Sequence, residues 1–149
     1  MSAETAELLT PHVRLKTLNI EDAFRRLSDT KAQDGKVLSI DWSGSVETNG
    51  LSMETILVTF ASNKMRFAYL VYNDKDEWVL DLESYIRHTS KPWQVIAGTN
   101  SCDAIIRATI NYNSYYNGIF KDEQRWICFA LASDDLSLIH ISEPTRPRL

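Results

Sequence analysis

The sequence predicts an α+β fold in which an N-terminal helix packs on a curved, mostly antiparallel sheet. Three observations carry this expectation. A helical period with cap residues occupies "NIEDAFRRLS" at 19–28. From Val37 onward the apolar period drops to two, the spacing of strands with one buried face. The five glycines all fall between periodic segments, where turns need backbone freedom. A helix followed by a series of strands is the α+β order, without the alternation of an α/β chain.

At the first helix, Asn19 is placed as the N-cap with Asp22 three residues on, and Leu18 and Ala23 occupy staple positions. Leu18, Ile20, Phe24 and Leu27 form its apolar side, and the helix is expected to end before "DTKAQDGK". A weaker turn around Glu4–Leu9 is stopped by the Thr10–Pro11 pair. "VLSIDW" at 37–42 reads as a short strand closing on the loop "SGSVETNG". In "ETILVTFA", Ile56, Val58 and Phe60 alternate toward the core. In "MRFAYLVY", Met65, Phe67, Tyr69 and Val71 are placed on one face, and Leu70 and Tyr72 on the other imply that both sides are partly covered. "EWVLDLESYI" follows across the turn "NDKD" with Trp78, Leu80 and Leu82 on one face. Those two runs form the clearest hairpin. Pro92 suits the first turn of a short helix in "KPWQVIAG". Two further strands are expected, one with Ala104, Ile106, Ala108, Ile110 and Tyr112 on one side, and one with Ile127, Phe129 and Leu131 opposite Trp126 and Cys128.

Of 149 residues, 44% are hydrophobic and 24% charged, ordinary globular proportions. The net charge of −4, with no run of Lys and Arg, argues against nucleic acid as a partner. No apolar run reaches the ~18 residues of a membrane span. The start, "MSAETAELLTPHVRLK", lacks a basic segment followed by an apolar one, so no secretory leader is read there and the cytoplasm is the default compartment. Cys102 and Cys128 form no C-x-x-C and are expected as buried free thiols, with a disulfide the alternative in an exported protein. Three segments are expected: a flexible approach over 1–17, a single domain over 18–135, and a non-native or disordered tail over 136–149.

Two constellations are candidates for chemistry. Asp81 and Glu83, two apart on an expected strand, would present both carboxylates to one face, within reach of a shared proton or a metal, with His88 nearby. The simpler reading is a solvated sheet face, and no metal-ligand spacing, Walker loop or nucleophile elbow calls for a metal or other cofactor. The second is "NYNSYYNGIFKDEQRW", which gathers Tyr112, Tyr115, Tyr116 and Trp126 among asparagines. Aromatic faces beside amides suit a ligand pocket, whereas the same composition also closes the corner of a small core.

Trp78, Asp81, Leu82, Glu83, Ser84 and Tyr85, then Pro92–Trp93, then Tyr115, Tyr116, Asn117, Phe120, Asp122, Glu123 and Cys128 resemble a pattern in uncharacterised bacterial proteins. The resemblance spans residues ~77–131. It implies the cone-shaped α+β fold of the nuclear-transport-factor-like group, in which helix and sheet enclose a pocket. It brings no activity and no site residue with it. It also implies a further strand after "RWICFAL", so that the chain is expected to be truncated with one sheet edge unpaired. The string "SLIHISEPTRP" at 137–147 is similar to translated sequencing-adapter read-through.

These readings converge on a non-catalytic binding or interaction module within a larger bacterial protein, taking a protein or small-molecule partner, its oligomeric state open. The alternative is an enzyme of the cone-shaped group, with Asp81 or Glu83 as acid or base facing a pocket lined by Tyr69 and Tyr112.

Overall fold

The computed structural model describes residues 3–48, 50–98, 102–114, 116, 118–132 and 138–144. They fall into two compact units, Met1–His88 and Thr89–Leu149, where the length suggested one domain over 18–135. Both units contain antiparallel sheet, the first also contains the long helix, and the α+β class stands.

The first unit begins with helix α1 (Ala3–Leu9), a 3₁₀ turn over Thr10–His12 and the short strand β1 (Val13–Arg14). The segment expected as an approach is therefore built into the fold, because β1 pairs in parallel with β5 (Trp78–Asp81). Helix α2 covers Ile20–Asp34. Asn19 caps it as read, its side chain accepting from the Asp22 N–H at 2.8 Å. It continues through "DTKAQD" because nothing there breaks a helix, and it stops where Gly35 takes φ +83 and returns its N–H to the Lys31 carbonyl.

Strand β2 (Val37–Thr48) is twice the expected length. "SGSVET" is not a loop but continues the strand past a register shift between Trp42 and Gly44, where the glycine marks a bulge. Strands β3 (Leu51–Phe60), β4 (Met65–Tyr72) and β5 complete a sheet ordered β1-β5-β4-β3-β2, antiparallel except at β1–β5. The β4–β5 hairpin forms as expected, with Leu70 opposite Leu80 and Tyr72 opposite Trp78. It closes at Asp81, and Leu82–Tyr85 form helical turn α3 rather than more strand.

The core lies on the sheet face that carries Val58, Phe60 and Ala68, and a second buried cluster joins Ala23 of α2 to Leu82 of α3 and its C-cap Ile86. Over the first half of β4 this corrects the expected facing, whereas Val71 on the expected face is buried. Met65 and Phe67 are exposed, whereas Arg66 and Ala68 are buried. The reason is Asp34, fully buried at the end of α2, which accepts a charge-assisted hydrogen bond from Arg66 Nε and stands 3.3 Å from Lys64 Nζ. An arginine with that partner points inward without leaving an unpaired charge. Burial alone would raise the Asp34 carboxyl, but the hydrogen bond and charge of Arg66, then those of Lys64, hold it below its ordinary value.

The second unit holds helix α4 (Trp93–Gly98) and strands β6 (Thr109–Asn113), β7 (Trp126–Ala132) and β8 (Leu138–Pro144), ordered β6-β7-β8 and antiparallel. The strand expected from Ala104 starts only at Thr109; upstream, Ile106 makes an isolated bridge with Thr89. Within the segment expected as a disordered tail, residues 138–144 pair along β7 from Ala132↔Leu138 to Trp126↔Pro144. That ladder joins main-chain groups, which any sequence lacking interior proline supplies. Strand β7 thus has partners on both sides instead of an open edge. Residues 133–137 and 145–149 lie outside the described residues. Cys128 is buried, Cys102 is half-buried rather than buried, and both are free thiols.

Asp34→Ala leaves Arg66 buried without its carboxylate and is expected to destabilise the first unit by about 3–5 kcal/mol. Urea unfolding of the two proteins at neutral pH measures this directly.

Candidate functional site

The carboxylates that the strand spacing would have paired are separated by the turn from β5 into α3. Asp81 is the last strand residue and the N-cap of α3: its Oδ1 accepts from the Ser84 N–H at 3.2 Å and its Oδ2 from Arg14 Nη2 at 2.7 Å. Glu83 lies inside the helical turn and is fully buried. Its Oε1 accepts from the backbone N–H groups of Lys16, Thr17 and Leu18 at 3.0, 2.6 and 2.8 Å, and from the Thr17 hydroxyl at 2.9 Å. Burial by itself would raise this carboxyl. The Thr17, Leu18 and Lys16 donors outweigh it and hold the pKa at about 2 against an ordinary 4.5. Neither group shares a proton with the other, and Glu83 is ionised wherever the protein is near neutral pH.

The helical turn ends in a Schellman motif. His88 N–H reaches the Glu83 carbonyl at 2.8 Å and Arg87 N–H the Ser84 carbonyl at 3.1 Å, with Arg87 at φ +48 in the position glycine usually takes. This turn carries His88 inward to 4% exposure, where its Nδ1 lies 2.8 Å from Arg26 Nη1. A guanidinium at that nitrogen fills the place a cation would need. Among the described residues no group of three or more His, Cys, Asp or Glu side chains has metal-binding geometry.

The aromatic candidates belong to the second unit. Tyr112 on β6 is 82% exposed, with its ring 5.2 Å from that of Phe129 on β7. Trp126 is half-buried and meets Phe120 edge-on at 4.8 Å, the corner packing that the sequence also allowed. Tyr116 is half-buried, and Tyr115 lies outside the described residues. Tyr69, the other expected pocket wall, sits half-buried on β4, 6.4 Å from Phe67.

Two features were missed in the sequence. Strand β2 is an edge of the five-stranded sheet and leaves Leu38, Ile40 and Trp42 largely exposed. The Trp42 indole donates to Glu54 Oε2 at 2.6 Å and the Ser45 hydroxyl donates to the same carboxylate at 2.8 Å, which together hold Glu54 below its ordinary pKa and fix the ring in place. The alternation of Leu38, Ile40 and Trp42, within a segment the sequence gives only as a short strand, was the available signal. The other feature is an open cleft of about 540 Å³ between residues 10–16 and the β4–β5 hairpin.

No protein-family model matches this chain, and no match is found among curated proteins or solved structures. No helix among the described residues is long and apolar enough to cross a membrane.

The folded-state pKa of Glu83 lies below its unfolded value, so the stabilisation is complete above pH 4.5 and is lost as pH falls toward about 2. Glu83→Gln is expected to remove roughly 3 kcal/mol at neutral pH and to flatten the loss of stability in that acid window. Urea midpoints across the pH range check both; equal acid slopes in the two proteins contradict the assignment.

Proposed function

We propose that the chain is a non-catalytic interaction module that receives an extended, apolar protein segment along β2. The observation that carries this reading is the exposure of Leu38, Ile40 and Trp42 at 63%, 66% and 70% on one edge strand. Ile40 stands opposite Val58 and Trp42 opposite Ile56, so both extend the sheet face that carries Val58 beyond its buried cluster. An edge strand offers unpaired main-chain groups, and neighbouring apolar side chains supply pockets for alternate residues of an added strand. Trp42, oriented by Glu54, is a pre-ordered anchor of the kind that dominates contact surfaces.

The enzymatic reading draws no support from Asp81 and Glu83. Their oxygens are engaged by Arg14, Ser84 and the 16–18 backbone, and a carboxyl held near pKa 2 is a poor acid and a weak base.

Selection of peptides from a random display library on the intact chain tests the proposal. Enrichment of extended apolar sequences that lose binding at least about tenfold to Ile40→Lys and Trp42→Lys is expected, since charge on an edge blocks strand addition. Selected peptides that bind both variants unchanged contradict it.

A further inference from the structure

The cleft of the first unit lies away from the β2 edge, and both of its walls are held by internal bonds. One wall is the 10–16 segment, fixed by the β1–β5 pairing, by Arg14–Asp81 at 2.7 Å and by the three backbone N–H groups that Glu83 collects. The other is the hairpin turn, where Asn73 Oδ1 accepts from the Lys75 and Glu77 N–H groups at 2.9 Å each and Asn73 N–H reaches the Glu77 carbonyl at 3.0 Å. Such walls are preformed, as ligand sites generally are, and about 540 Å³ lies within the usual range for small molecules.

The lining has a definite chemistry. Arg14, Lys16 and Lys75 bring three cationic groups to it, and Asp74 and Glu77 bring two carboxylates. Asp81 holds only one arm of Arg14 from behind, and Arg14 Nε is a buried donor with no acceptor. Among the described residues neither the Lys16 nor the Lys75 ammonium makes an ion pair. Tyr72 adds an aromatic surface, its ring stacked on Trp78 at 3.9 Å and so kept from collapsing into the space.

We propose that this cleft binds a small, flat organic acid, its carboxylate among Arg14, Lys16 and Lys75 and its flat body along Tyr72. An arginine fork braced by a carboxylate is suited to a planar carboxylate acceptor. Asp81 already balances Arg14, so the charges around the cleft are even and no surplus calls for a dianion, and Asp74 and Glu77 oppose the second charge of a phosphate monoester.

Benzoate, benzamide and phenyl phosphate are the probes, titrated into the full chain and followed by the backbone amide signals of residues 10–16 and 72–79. Benzoate is expected to shift these signals saturably and benzamide to leave them in place. The double variant Lys16→Gln, Lys75→Gln changes exposed side chains only and should keep the native amide spectrum while weakening benzoate about tenfold or more, the loss of one charge-assisted contact. Tyr72→Leu should weaken it separately. Absent or non-saturating shifts, equal binding of benzamide, or an unchanged affinity in the double variant overturn the proposal. Tighter binding of phenyl phosphate than of benzoate overturns the assignment to a carboxylate.

Discussion

Glu83 is a charge placed where water does not reach, and the arrangement of the first unit follows from how that charge is satisfied. A buried carboxylate without donors would be driven toward its neutral form. Here the donors are three consecutive backbone N–H groups and a hydroxyl from residues 16–18, some 65 positions away in the chain. That single contact brings the N-terminal segment to α3, aligns β1 alongside β5 and sets the entry into α2, whose cap Asn19 follows immediately. The cleft beside Arg14 exists because the segment is held there.

Asp34 and Arg66 do for the other end of α2 what Glu83 does for its start. The helix is tied at its last residue to the start of β4, and Ser62 adds a hydrogen bond to the Asp34 carbonyl at 2.7 Å. The apolar core between these ties is modest, built on Ala23, Val58, Phe60, Ala68, Leu82 and Ile86. Buried ion pairs of this kind contribute little net stability over an apolar pair, but losing one partner is severe. They fix which face of β4 points inward at its start.

The parts of the fold written in local patterns were legible in the sequence: the Asn19 cap, the alternation of Ile56, Val58 and Phe60, and the β4–β5 hairpin. What escaped depends on partners distant in sequence. Arg66 reads as an outward charge until Asp34, 32 residues earlier, is seen beside it. Asp81 and Glu83 read as a strand pair, although Asp-Leu-Glu-Ser also fits an N-cap with its acceptor three residues before Ser84, and that signature was available. Gly44 was taken for a loop residue when it marks a bulge within β2. Three of the residues in the family resemblance, Asp81, Glu83 and Ser84, have structural duties here: capping α3 and anchoring the N-terminal segment. The cleft was not legible at all, since its lining joins residues 10–16 to 72–79 through contacts distant in sequence, the β1–β5 pairing, Arg14–Asp81 and that anchor.

The cradle around Glu83 organises the first unit, and amide hydrogen exchange at Lys16, Thr17 and Leu18 tests this most directly. In the native protein these three amides should exchange only with the cooperative opening of the first unit, as slowly as amides in the central strands. In Glu83→Gln they should exchange much faster than the strands. Rapid exchange in the native protein, at the rate of an open loop, would contradict the claim that this carboxylate organises the unit.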